Sequence, residues 1–516
     1  MPSENVIEKI FEQGISLGDK PALIYKKGTR YLKVSFKEFW EGVIENAASL
    51  QKKGVQKGDR VLVFVPMSLE LYQTVLSLLY IGASAVFLDA WTTRNRLETA
   101  CGIVKPKVFI GSAKAHLLRL MSSAIRKIPL KLRGKFFSST SLNRQSFPPA
   151  FASKDSEALV AFTTGSTGIP KAANRTHGFL WDIHTALKKH LHPDFNTVDL
   201  PTLPLFVLNN LVMGISSVLP DFNPARPADI KPEKIISQME KCSVTSSLGS
   251  PAFYEILAGF ILKNNITLNI KNIYLGGAPV FPVLARKLKK AFPKTTIEII
   301  YGSTEAEPIS GILAEELLGS DILNGLPAGK KVDFIEVQIL KPADEPIVLK
   351  ENETLDAYLC APGEVGEIVV SGDHVLKYYV DSPEAFRENK IEENGKIWHR
   401  TGDAGKINDR GEIFLFGRVK NRFTYQGETL YPLPIEQKLM EIKEIAFAAL
   451  LPHQEKINLF AEPKEKTEGK AIEQLKEKIR ESLKGFNPDQ LIILSHIPRD
   501  PRHHSKANYE ELKKLI

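Results

Sequence analysis

Cysteine is nearly absent. The chain has three in 516 residues, Cys101, Cys242 and Cys360, far apart in sequence. An odd, sparse set argues against a disulfide framework and a zinc ribbon, and it points to a reducing cytosol. Long apolar runs that read as membrane spans are missing too. Leu71–Leu88 is uncharged, but it holds Gln73, Thr74, Ser77 and Gly82 and reads as a buried helix followed by a buried strand. Leu200–Pro220 is interrupted by Pro201, Pro204, Asn209 and Asn210. No transmembrane helix is expected. The N-terminus carries Glu4, Glu8 and Glu12 without an apolar core, so no signal peptide is read there. Internal repeats, a Gly-X-Gly-X-X-Gly fingerprint and the Gly-Lys-Ser/Thr of a Walker A loop are all lacking. The net charge of +8 is mild for this length. It suits an anionic ligand or an acidic membrane surface. It is weak support for nucleic acid, for which no motif appears, and no nucleic-acid partner is expected.

What is present is enough apolar sequence, 43 %, to build a large core over two to four domains. Short apolar runs at 60–66, 84–90, 106–112, 158–164, 272–278 and 296–302 read as buried strands. Helical patterns such as Phe36–Lys53 and Pro282–Phe292 lie between them, which predicts parallel α/β sheets with helices on both faces. Ser138–Glu157, rich in Ser and Pro, reads as a surface linker. From about 330 the runs "FIEVQIL", "GEIVVSG" and "GEIFLFG" alternate with period two, as a small antiparallel sheet or barrel would. A smaller α/β segment follows "GRVKNR". Its helix Ala471–Lys484 carries Ile472, Leu475, Ile479 and Leu483 on one stripe, and Gly485 stops it.

The strongest local signal is "AFTTGSTGIPKAANRTH" at 161–177. A strand runs into a Thr/Gly/Ser loop, and a lysine follows. Glycines let backbone N–H groups turn toward an anion, hydroxyls add donors and the lysine adds positive charge. The loop reads as a phosphate cradle.

This segment resembles the phosphate-loop motif of the AMP-forming adenylating superfamily, which includes acyl-CoA synthetases, peptide-synthetase adenylation domains and luciferases. The other signatures follow in the family's order: "LGGAPV" (275–280), "YGSTEAEP" (301–308), "GEVGEIVVSG" (363–372), "HRTGDAG" (399–405) and "GRVKNRFTYQGETLYPLPIE" (417–436). The match runs from about Lys20 to the C-terminus. The resemblance implies an N-terminal adenylate-forming domain over 1–417, with two parallel α/β sheets and a small barrel-like part, and a mobile α/β lid over 418–516. It implies two half-reactions. A carboxylate attacks the α-phosphate of ATP to give acyl-AMP and pyrophosphate, and a second nucleophile then attacks the acyl carbon.

By motif match, Thr163, Thr164, Gly165, Ser166, Thr167, Gly168 and Lys171 would hold the β- and γ-phosphates. Glu305 would hold Mg²⁺ and Thr304 would donate to the α-phosphate. Tyr301 would stack on adenine, with Gly302 beside it and Gly277 and Ala278 at the base edge. Asp403 would accept from the ribose hydroxyls, supported by Arg418. Lys420 would be the hinge about which the lid turns between half-reactions.

Several positions depart from the family pattern. Ala172 follows the loop lysine where glycine is common. Thr424 stands where the hinge motif often has lysine, and "PLFVLNNLVMG" (204–214) lacks a histidine often found beside the acyl pocket. "YGSTEAEP", the apolar 204–220 region and "DPRHHSK" resemble one branch, the β-lactone synthetases of bacterial olefin biosynthesis and related fatty-acid ligases. The lead expectation is a fatty or 3-hydroxy fatty acid activated with ATP and Mg²⁺ and transferred to CoA, with Gly427 where the thiol tunnel would pass. Intramolecular β-lactone formation without CoA stands second. A nucleotide-binding protein that has lost catalysis is a third reading, which Glu305, Asp403, Arg418 and Lys506 argue against.

Two stretches remain. From Lys105 to Lys135 there are nine Lys/Arg and no acid, with Leu, Ile, Met and Phe between them. This reads either as a solvated helix face or as a surface that collects an amphiphilic acid from a membrane. Near the C-terminus, His503, His504, Ser505 and Lys506 are adjacent. Adjacent histidines point apart, which disfavours a metal site, and nothing is assigned to activate Ser505. The resemblance makes Lys506 the lysine that reaches the carboxylate and α-phosphate during adenylation.

Overall fold

The strand runs become two large sheets. The computed structural model describes residues 5–88, 93–134, 147–164, 170–223, 229–320, 324–499 and 507–516. Gly165–Gly168, Lys506, the residues 503–505 and the first part of the expected linker, 138–146, lie outside the described residues, and of Thr163 and Thr164 only the backbone is described.

The first sheet has six strands in the order Leu130–Arg133, Val108–Gly111, Arg60–Phe64, Ser84–Phe87, Glu157–Thr164 and Pro170–Thr176. All neighbours are parallel except the last pair, which runs antiparallel with Thr163 opposite Lys171. The phosphate-loop lysine therefore starts a returning strand, where a Walker A lysine would enter a helix. Helices Phe36–Lys52 and Leu69–Tyr80 cover one face. A capping box starts the first of them: the Glu38 N–H donates to Ser35 Oγ, and Glu38 Oε2 accepts from the Ser35 N–H. The Leu71–Leu88 run is a buried helix and strand, as its interrupting polar residues suggest: Ser77 Oγ donates to the Val43 and Gln73 carbonyls. No described helix is long and apolar enough to cross a membrane.

Among the described residues the second sheet has fourteen strands. Its parallel part runs Pro21–Lys27, Ser216–Val218, Val198–Pro201, Ser246–Gly249, Asn272–Leu275 and Thr296–Ser303. At Thr296–Ser303 the chain turns back on itself. Gly302 permits this, since a Cβ there would sit 2.9 Å from the Ala306 carbonyl oxygen. The returning strand Ala306–Leu313 leads through Leu326–Lys331, Glu412–Arg418, Lys396–Ile407, Gly366–Ser371 and Glu336–Leu340, all antiparallel. The expected barrel-like part is thus antiparallel and hydrogen-bonded onto the parallel sheet, because the hairpin at 303–306 carries the ladder across.

The last body is a three-stranded sheet of Ile445–His453, Lys456–Pro463 and Gln490–Ile493. Helix Lys470–Ser482 packs Leu475 and Ile479 onto it, and Gly485 follows at φ 87°. Helix Pro432–Met440 has a foot in each core: Leu433 packs with the second sheet and Leu439 with the small one. On this helix Glu436 Oε1 accepts from the Leu450 N–H at 2.9 Å and the Tyr509 hydroxyl at 3.1 Å. Burial pushes its carboxyl up to about 7, over the pull of those two bonds. The folded chain keeps this proton where the unfolded chain has lost it, so its contribution to stability is full below about pH 4.5 and is lost as pH rises through about 7. Glu436→Gln should therefore be more stable than the parent at pH 8, by on the order of 1 kcal/mol, and should flatten the fall in stability between pH 5 and 8. Thermal unfolding of both proteins across that range measures it; parallel curves would contradict the assignment.

Candidate active site

The three bodies enclose one large cleft of about 1980 Å³. Lys171 and Phe64 line it from the first sheet, Tyr301 and Asp403 from the second, and Phe447 and Ala507 from the small body. The motifs, dispersed over nearly 300 residues of sequence, meet here.

The Thr304–Glu305 turn lies at the hairpin between the parallel and antiparallel parts of the second sheet. Glu305 is buried, 7 % exposed, and accepts from the Tyr379 hydroxyl at 3.3 Å. Tyr379 is carried there by the segment 378–380, which bonds to strand 170–176 through the Val380 N–H to the Ala172 carbonyl and the Asn174 N–H to the Tyr378 carbonyl. That pairing puts Lys171 beside it, with Nζ 5.7 Å from the Tyr379 ring centre and donating to Asn389 Oδ1 at 2.7 Å. Burial lowers the Lys171 pKa, and Glu305 and Glu388 partly offset this.

Behind Tyr379 stands a second lysine. Lys390 is 2 % exposed, its Nζ lies 5.5 Å from the same ring centre, and it donates to the Leu376 carbonyl. Burial brings its pKa down to about 7. Buried His399 next to it is held neutral, its pKa pushed well down by burial and then by Lys390. Arg175 is buried as well, and its Nη2 donates to the Thr304 carbonyl at 2.9 Å. Its Nε is buried and has no hydrogen-bond partner among the described residues. Glu307 on the next strand is pushed up to about 7 by burial, against the pull of Arg175.

On the opposite wall, Tyr301 donates to Asp403 Oδ2 at 2.9 Å, and Arg418 Nη1 lies 3.3 Å from Asp403 Oδ1. Each carboxylate oxygen keeps a lone pair for another donor. The Asp403 loop is set by a buried ion pair: Arg400 donates to Glu367 Oε2 from Nη2 at 2.6 Å and from Nε at 3.0 Å, and the Gly402 N–H donates to Glu367 Oε1 at 3.3 Å. The two motifs holding Glu367 and Arg400 are thus one unit of adjacent strands. Gly277 and Ala278 line the cleft just beyond strand Asn272–Leu275, with Gly277 at φ 85°. Lys420 is exposed in the short turn Val419–Asn421.

Arg175, Tyr379, Asn389 and Lys390 were not among the expected site residues. Arg175 lies inside the loop motif and was legible as a charge on a strand bound for the core. Lys390 sits in "RENKIEEN", which reads as solvated. Asn209 and Asn210, in the segment without histidine, hold helix Pro204–Met213 from behind: Asn209 Oδ1 lies 3.0 Å from His184 Nδ1, and Asn210 donates to Asp199 at 2.8 Å. Among the described residues no cluster of three or more His, Cys, Asp or Glu is placed to cage a metal. The Glu305 carboxylate, close to Lys171 and Arg175, fits Mg²⁺ that would be held mainly by substrate phosphates.

A family model described as AMP-binding enzyme matches residues 11–380. The chain belongs to the AMP-binding enzyme family. This enzyme is 30 % identical over 426 residues to an olefin beta-lactone synthetase of Stenotrophomonas maltophilia, covering 78 % of this chain and 76 % of that one. It is 27 % identical to a putative acyl–CoA ligase, YdaB, of Bacillus subtilis, covering 81 % of each. Its fold matches the ATP-bound structure of MatB from Rhodopseudomonas palustris at a TM-score of 0.80, with 19 % identity over 99 % of both chains. The AMP-binding enzyme described here is an AMP-forming ligase that uses ATP to activate an acid as its adenylate.

Proposed function

We propose that this AMP-binding enzyme activates a medium- or long-chain 3-hydroxy fatty acid and closes the adenylate to a β-lactone. The observation that carries the reading is the similarity, over three quarters of both chains, to a protein named olefin beta-lactone synthetase. The apolar arm of the cleft supports an acyl chain: Val65, Met67, Val75, Phe87, Leu203 and Leu208 line it.

In the first step the acid's carboxylate oxygen bonds to the α-phosphorus of ATP and pyrophosphate leaves. Lys171 is placed to meet the phosphate and carboxylate charges. Thr304 is held toward them by Arg175, and Asp403 accepts from the ribose while Tyr301 and Arg418 orient it. Mg²⁺, held by Glu305, would neutralise charge between the phosphates. In the second step the 3-hydroxyl oxygen bonds to the acyl carbon, AMP leaves and the hydroxyl proton goes to solvent. Between the steps the lid of residues 418–516 turns about Lys420. The unpaired thiols Cys101, Cys242 and Cys360 support a reducing cytosol as its compartment, and the basic surface at 105–135 is its proposed membrane contact.

Transfer to CoA is the second reading, favoured by the similarity to a putative acyl–CoA ligase and by exposed Gly427, at φ 85° in the turn of the ribbon 423–430. Mass spectrometry of products from 3-hydroxy and unsubstituted acids, each with and without CoA, separates the two. The expected product is the acid less one water, formed from 3-hydroxy acids alone and without CoA. A CoA thioester formed from both acids would replace the lactone reading.

A further inference from the structure

The short helical run Ala115–Met121 has two unlike faces. Leu117, Leu120 and Met121, spaced i, i+3 and i+4, point outward at 61 %, 77 % and 65 % exposure. Ala115 and Leu118 point inward and, with Leu97 of helix Arg94–Val104, line one end of the cleft, where exposed Lys114 forms its rim. Phe64, Leu88 and Phe162 continue the apolar wall from that end toward Lys171.

Exposed cations ring the apolar tip: Lys114, Arg119, Arg126, Lys127 and Arg133. Arg126 Nη1 donates to the Arg119 and Leu120 carbonyls at 3.3 and 3.2 Å, which holds the turn that presents Leu120 and Met121. Nearby Glu98 offsets one of these five charges, which leaves the patch net positive. Its oxygens accept from the hydroxyls of Ser122 and Ser123 and the N–H groups of Ser123 and Ala124.

We propose that this surface docks on an anionic lipid bilayer and passes a membrane-borne amphiphilic acid into the cleft past Leu97, Ala115 and Leu118. Three large apolar side chains standing clear of the surface inside a ring of like charge match the bilayer boundary, where apolar tips enter the acyl region and cations meet headgroup phosphates. A merely solvated face has no use for the apolar tips. The delivery half of the proposal rests on the reading that the acid has a long alkyl chain; the docking half does not.

The experiment pairs two exposed-surface variants with the parent: Leu120→Ser/Met121→Ser, and Arg119→Glu/Lys127→Glu. Co-sedimentation uses neutral phosphatidylcholine vesicles and vesicles containing anionic phosphatidylglycerol. ATP–pyrophosphate exchange is measured with a dissolved C8 acid and with a C16 acid carried in the anionic vesicles. The parent is expected to bind anionic vesicles at least tenfold more tightly than neutral ones, and each variant to lose at least tenfold. Both variants should keep exchange on the dissolved acid and lose it on the vesicle-borne acid. Equal binding to both vesicle types, or variants that bind like the parent, overturns docking. Full exchange on vesicle-borne acid by variants that no longer bind overturns delivery. If polyglutamate binds as tightly as vesicles and is indifferent to Leu120 and Met121, the patch belongs to an acidic protein partner and the proposal fails. Were no acid of any length to support exchange, the activity reading and the delivery step would fall, while vesicle binding would still decide docking.

Discussion

Glu305→Gln is expected to slow ATP–pyrophosphate exchange about 10²–10³-fold, with the unfolding midpoint nearly unchanged. Glutamine keeps the volume of the side chain and still accepts from the Tyr379 hydroxyl, so the hairpin at 303–306 has no reason to move. What disappears is one negative charge in a site crowded with positive ones. Lys171, Lys390, Arg175 and Arg418 all feel the Glu305 carboxylate. The same carboxylate is the one proposed to hold Mg²⁺ against the phosphates. Its loss should therefore raise the Mg²⁺ concentration needed for half-maximal exchange, which a purely structural role would leave alone. Exchange within threefold of the parent at every Mg²⁺ concentration would remove Glu305 from the mechanism.

Lys506→Ala should cost a similar factor, about 10²–10³, but in adenylation alone. The assignment comes from the "DPRHHSK" motif, and the described residues around it supply a frame. Arg499 pairs with Ala507 and donates to Glu462 at 2.9 Å, while the Asn508 N–H donates to the Pro498 carbonyl. Ala507, next in sequence, lines the cleft. A lysine delivered by a lid serves the step in which the lid faces the phosphates and is carried off when it turns. Pre-formed acyl-adenylate should thus be consumed by Lys506→Ala at close to the parental rate. Equal losses in both half-reactions would show that Lys506 acts otherwise.

Much of the fold was legible. Runs such as "RVLVFVP" and "TIEIIYG" are too apolar for anything but buried strands, and the structure places them at Arg60–Phe64 and Thr296–Ser303. The stripe of Leu475, Ile479 and Leu483 announced its helix in the same way. Local pattern did not show that the parallel and antiparallel strands form one sheet. That depends on the Gly302 hairpin, where close approach of backbone decides the geometry. Residues named by the motifs, such as Lys171, Glu305 and Asp403, do come together along one cleft. Tyr379 and Lys390 were not legible, because nothing in their local sequence says what they will be packed against.

The sequence by itself determined the family, the order of the motifs and the kinds of groups brought to the cleft, since these depend on residue type and spacing along one strand or loop. Only the tertiary structure decided how those groups balance. Lys171 meets Asn389 across 218 positions, and Lys390 loses its solvent and with it much of its basicity. Burial and long-range pairing set charge, and neither is a property of a stretch of sequence.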